Sequence, residues 1–162
     1  MSTKTTKTKI LELWGALNYL SEGTKPIKFA YFIVKNKKKI KDEIDILNQL
    51  IEPSKKFTEY DNKRRELALK HCDKNSDGEP IVNNNNYVMT TNTAKFKEEV
   101  VSLKENYKDV VEEFEKKVNE YNITIDEFVE FESYKIKIDD LPDTMEPKYL
   151  ELFDNLDLIT EE

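Results

Sequence analysis

The 162-residue chain reads as a mainly α protein with a minor β part. The fold expected is a long antiparallel helical hairpin of coiled-coil character, with a small β-hairpin or three-stranded sheet. Three observations predict it. Charged residues make up 36% of the chain and hydrophobic ones 38%, a thin core under a large solvated surface, which suits amphipathic helices better than a compact globule. Three glycines and five prolines leave little punctuation, so the elements are long. Residues 26–51 and 93–122 carry apolar side chains at the alternating three- and four-residue steps of a helical seam. The length fits a single domain over 1–162.

Residues 1–6 are expected as a disordered polar tail, and helices then occupy 7–72. Ile10, Leu13, Trp14, Leu17 and Leu20 form one apolar face, and Gly23 is placed to stop that first helix. Thr24 can cap the second, with Pro26 near its first turn. Its opening run, Ile27, Phe29, Ala30, Tyr31, Phe32, Ile33 and Val34, should be buried on several sides. The stripe then narrows to Ile33, Lys37, Ile40, Ile44, Leu47 and Ile51. Pro53 interrupts or kinks the helix, and "SKKFTEYDNKRRELALKHC" resumes helical spacing. Residues 78–90 read as a β-hairpin around an asparagine run that tolerates left-handed turn geometry.

One long helix is expected over 93–122. Phe96, Val100, Leu103, Tyr107, Val110, Phe114, Val118 and Tyr121 form its stripe. That stripe runs for ~43 Å at 1.5 Å per residue. It cannot bury itself alone, and antiparallel pairing with 26–73 would cover it. The period then changes. A strand is expected over 129–139, where Tyr134, Ile136 and Ile138 alternate with polar residues, and it could join the hairpin as a third strand. A short helix over 145–158, capped by Thr144 with Pro147 in its first turn, closes the chain.

"DKNSDG" opens like a calcium loop, with Asp73, Asn75 and Asp77 at positions 1, 3 and 5 and Gly78 at position 6. Position 8 is Pro80 and position 12 is Asn84, so the bidentate glutamate of a working loop is missing. A helix exit with an Asx-rich turn is the simpler reading. His71 and Cys72 are the only histidine and cysteine. Adjacent helical residues diverge by about 100°, which disfavours a catalytic dyad, and a four-ligand zinc site lacks the donors. No phosphate-binding, dinucleotide or nucleophile-elbow motif is present. The residues read as a non-enzymatic protein with no cofactor and no metal.

The net charge of −7 hides an asymmetry: residues 1–41 hold ten lysines against Glu12 and Glu22, and residues 139–162 hold nine acids against Lys148. The two ends could attract one another or face partners of opposite sign. Lys35, Lys37, Lys38, Lys39 and Lys41 form the one candidate nucleic-acid patch, and its alternative is a solvated stretch paired with the protein's own acids. For protein contact the hairpin end stands out, with Ile81, Asn84, Tyr87 and Met89 as candidate anchors. Equally, Tyr87 and Met89 could face a third strand and close a small core. An unpaired seam would also drive self-association into a homo-oligomer. A lone cysteine, and no apolar run approaching the roughly 18 residues of a membrane span, suggest a soluble cytoplasmic protein without membrane contact.

The stretches "LWGALNYLSEGTKPIKFAYFIVKNKKKI" and "EYDNKRRELALKHCDKNSDGEPIVNNNNYVM", with the closing "YKIKIDDLPD" and its short helix, resemble a family of small, functionally uncharacterised proteins of tailed phages and prophages of low-GC bacteria. The resemblance covers roughly 10–158 and supplies no active site. It implies a phage accessory protein acting in the cytoplasm of the infected host cell. The expected function is a protein-binding module that inhibits a bacterial defence system or host enzyme. The alternatives are a nucleic-acid-binding accessory protein and an assembly factor or minor virion component.

Overall fold

A computed structural model describes residues 2–161. It is mainly helical with small strand pairs, in the order β1 (Ser2–Thr6), α1 (Lys7–Leu20), α2 (Ile27–Leu50), α3 (Lys55–His71), β2 (Val82–Asn83), β3 (Asn86–Tyr87), α4 (Thr93–Asn106), α5 (Lys108–Ile125), β4 (Phe128–Glu132), β5 (Ile136–Lys137), a 3-10 turn (Ile138–Asp140), α6 (Pro147–Asn155) and β6 (Ile159–Thr160). The chain divides into two compact units: Met1–Ile51 with Asn119–Glu162, and Glu52–Val118. Among the described residues no helix is long and apolar enough to cross a membrane.

The first unit is built on an apolar core. Ile10, Leu13, Ala16, Leu17 and Leu20 of α1 pack with Phe29, Phe32, Ile33, Ile40 and Ile44 of α2. Phe131, Ile136, Leu152, Phe153, Leu156 and Leu158 complete the cluster. Each large side chain so buried contributes about 1.5–3 kcal/mol. Phe32 meets Phe153 edge to face at 5.3 Å. The helices begin and end for local reasons. Thr6 Oγ1 accepts from the Lys9 amide and caps α1, and Gly23 takes a left-handed φ of 72° in the turn beyond it. Pro53 lies in the break between α2 and α3, and Ser54 Oγ then caps α3 by accepting from the Phe57 amide at 3.2 Å.

Residues 2–6 are not a disordered tail, and Met1 lies outside the described residues. From Ser2 to Thr6 they form β1, antiparallel to β4, with Lys4 opposite Glu130 and Thr5 opposite Val129. β-branched threonines suit a pleated strand, and opposite charges across the ladder favour this register. Asn36 of α2 is fully buried. Its Nδ2 donates to the carbonyls of Phe32 at 3.1 Å and Tyr134 at 2.8 Å, and its Oδ1 accepts from the Tyr134 amide at 2.9 Å. One side chain therefore pins the chain after β4 to the centre of α2.

The apolar opening of α2 buries one face only: Phe29, Phe32 and Ile33 are inside, whereas Ile27 is 87% exposed and Tyr31 and Val34 lie open. The strand over 129–139 is two strands. β5 pairs in parallel with β6, and the hairpin gains no third strand from it. Ile136 is buried while Tyr134 and Ile138 are exposed, because the chain turns into the 3-10 segment and breaks the alternation. Caps shift as well, to Pro26 for α2 and to Glu146 for α6, where Pro147 takes the first helical position.

The second unit sets α3 antiparallel to α4 and the start of α5. Phe57 stacks on Phe114 with centroids 3.9 Å apart, Tyr60 meets Tyr107 at 5.7 Å, and Lys70 pairs with Glu99 at 2.9 Å. The helix expected over 93–122 is broken at Tyr107, which has φ −117°. Lys104 Nζ reaches Glu115 Oε1 at 3.1 Å, whereas a straight helix would hold these residues ~16 Å apart along its axis. The Tyr107 hydroxyl accepts from Lys63 and donates to Glu59, each at 2.7 Å. These bonds hold the break against α3, raise the Lys63 pKa and lower that of Glu59. All eight stripe residues from Phe96 to Tyr121 are half-buried rather than mostly buried, because the stripe is divided at this break.

Candidate functional site: the hairpin cleft

The site grows from the exit of α3. His71 and Cys72 are buried there, and their side chains meet different neighbours. His71 Nε2 lies 3.1 Å from Glu99 Oε2, off the line of a ring N–H hydrogen bond, while the Cys72 thiol donates to the Leu69 carbonyl at 3.2 Å. Lys70 first, and His71 second, hold the Glu99 carboxyl below its ordinary range.

The calcium-like stretch is built as a turn. Asn75 Oδ1 accepts from the amides of Asp77 at 3.0 Å and Glu79 at 2.9 Å, and Gly78 takes a φ of 81°. The carboxylate of Asp73 accepts from the Thr90 amide at 3.0 Å and the Thr90 hydroxyl at 2.7 Å, which lowers its pKa. The motif's side chains thus serve the hairpin root. Among the described residues no three histidine, cysteine or acidic side chains gather as a metal site.

The hairpin turns through Asn84 and Asn85, both left-handed, with φ of 48° and 62°. Two successive residues of positive φ make the type I′ geometry that matches strand twist, and asparagine is among the few side chains that tolerate it. Val82 faces Tyr87 across the ladder and Asn83 faces Asn86. Below, the Asp73 amide donates to Val88, the Ile81 amide to Asp73 and the Val88 amide to Ile81.

Beside this hairpin lies an open cleft of about 570 Å³. Arg64, Arg65 and Ala68 of α3 form one wall, Tyr87 and Met89 another, and Phe96 of α4 lines it further. Tyr87 is 41% exposed. No third strand covers it. Both arginines contact one carboxylate: Arg64 Nη2 is 3.0 Å and Arg65 Nη2 2.8 Å from the two oxygens of Asp61. One acid orients two guanidinium groups and leaves the wall cationic.

Of the four anchors expected from sequence, the cleft brings together Tyr87 and Met89. Asn84 sits at the exposed hairpin tip and Ile81 at the root, and neither lines the cleft. Sequence reading missed Arg64 and Arg65. The signal was "NKRRELAL", where an arginine pair precedes the small Ala68 by one helical turn.

The lysine run is largely engaged within the protein. Lys39 pairs with Glu132 at 3.3 Å and Lys41 with Asp45. Lys35 lies over the Tyr31 ring and Lys37 over the Trp14 ring, each at 5.2 Å. Lys38 has no such partner among the described residues. Between the basic first 41 residues and the acidic end, Lys28 pairs with Asp140 at 2.7 Å. No family model matches the chain, and neither does any curated protein or solved structure.

Proposed function

We propose that the chain is a non-enzymatic protein-binding module, encoded by a phage, that inhibits a bacterial defence protein or host enzyme. It would act in the cytoplasm of the infected cell by seating a segment of its target in the hairpin cleft. The observation that carries this reading is the pairing of an exposed tyrosine with two carboxylate-oriented arginines around one cleft. Tyrosine and arginine are the residue types that dominate binding energy at protein interfaces. The resemblance to small phage proteins supports the setting.

The test is capture by the tagged chain from a low-GC bacterial lysate, with and without nuclease, read by mass spectrometry. The expected result is one stoichiometric protein that survives nuclease and is lost with Tyr87→Ala or Arg65→Glu. An anchor of this kind is worth ~2 kcal/mol, about a 30-fold loss of affinity. Capture unaffected by either substitution removes the cleft from the proposal. Capture abolished by nuclease and by reversing Lys38 would favour a nucleic-acid role instead.

A further inference from the structure

A second surface lies in the first unit. Ile27, Tyr31 and Val34 follow one another at the spacing of a single helix face, and all three are exposed. Tyr134 meets Tyr31 edge to face at 5.4 Å, and Ile138 is 53% exposed. Between α2 and β5, Ile27, Tyr31 and Tyr134 border a groove of about 510 Å³ whose lining includes the buried Ile136. Contiguous large apolar side chains of this kind on a surface mark contact sites more often than chance.

The charges around the groove say what would occupy it. Lys28 and Lys135 are already matched, to Asp140 at 2.7 Å and Asp157 at 2.6 Å. Lys137 lines the groove with no partner among the described residues, and Lys35 is held only over the Tyr31 ring. One cation without a carboxylate thus lines the groove, and a second lies over the Tyr31 ring that borders it, in a chain whose net charge is −7. Nucleic acid would need open ring faces for stacking, but Lys35 covers a face of Tyr31 and the two tyrosines meet edge to face. We propose that this groove docks an acidic peptide segment of a partner protein, with an aliphatic or aromatic anchor between Ile27, Tyr31 and Tyr134 and flanking carboxylates on Lys137 and Lys35. The surface is separate from the hairpin cleft and does not depend on the reading given for it.

The probes are a fluorescein-labelled peptide alternating leucine and phenylalanine with glutamate, the same peptide with lysine for glutamate, and labelled oligo-dT. Each is titrated with the full chain at ~0.1 M salt, where surface charges are partly screened. The acidic peptide should bind saturably, ~10-fold more weakly with Lys137→Glu, and not at all with Ile27→Asp. Arg65→Glu should leave this binding unchanged, which separates the groove from the cleft. Both groove positions are on the surface, so an unaltered thermal melt shows that the variants fold. The proposal is overturned by equal binding of both peptides, by indifference to both groove variants, or by no saturation up to ~1 mM. It is also overturned if only oligo-dT binds, or if sedimentation shows a dimer that Ile27→Asp dissociates, since a second copy then covers the patch.

Discussion

The two units are stabilised by different physics. In the first, sixteen buried side chains from two long helices, two strands and the C-terminal segment form one apolar cluster. In the second, Tyr60, His71, Cys72 and Val111 are the buried residues, and ring contacts and an ion pair join α3 to the helices that follow. Burial of apolar area does not titrate, whereas exposed charge pairs are screened by salt and respond to pH. The first unit should therefore be the stable scaffold and the second the more responsive one. The single tryptophan, Trp14, lies in the first unit, so its fluorescence reports that unit alone, while amide hydrogen exchange follows both.

The largest effect should come from Phe153→Ala. Phe153 is fully buried against Phe32, and removing it leaves a cavity costing about 3–5 kcal/mol. Urea unfolding followed by Trp14 should shift accordingly. Phe57→Ala, which removes the ring stacked on the half-buried Phe114, should cost less and lower protection along α3 and α4. Equal losses at the two positions would break the comparison.

Next in size is Asn36→Ala. The Tyr134 amide and carbonyl would lose their side-chain partner inside the fold, at a cost of about 1–3 kcal/mol. The loss should be seen by Trp14 fluorescence and as faster exchange of the Tyr134 amide. An unchanged exchange rate there would mean that the asparagine does not hold this segment.

What could be read in advance divides along the same physical line. Local rules carried far. The stop near Gly23, the break at Pro53 and the asparagine turn depend on residues a few positions apart, and all are present, although the caps expected at Thr24 and Thr144 lie elsewhere. The buried positions Ile33, Ile40, Ile44 and Leu47 of α2 follow from helical periodicity. Features set by distant partners were hidden. β1 is a run of serine, threonine and lysine with no apolar alternation, and its partner strand lies more than a hundred residues along the chain. The break at Tyr107 has no glycine or proline, since hydrogen bonds from α3 hold it. Arg64 and Arg65 look like any solvated helix face until the hairpin is placed beside them. Ile27, Tyr31 and Val34 looked buried because hydrophobicity alone does not say which side of a helix is covered.

The smallest effect expected is on pH dependence, and it should belong to the second unit. Glu99 is lowered from its ordinary value of 4.5 by Lys70 first and His71 second, and Asp73 from 3.8 by its bonds to Thr90. A carboxyl whose folded pKa is depressed binds its proton more readily when unfolded. Its contribution is therefore complete above the ordinary value and is lost as pH falls through the folded one. Amide protection along α3 and α4 should accordingly decline below about pH 4.5, while Trp14 still reports a folded first unit. Glu99→Gln should flatten that decline and leave protection near neutral pH slightly reduced, because the charge contact to Lys70 is gone. If the acid transition of the variant overlays that of the parent, Glu99 is a bystander. Acid sensitivity would then rest with Asp73 at the hairpin root, and Asp73→Asn should remove it.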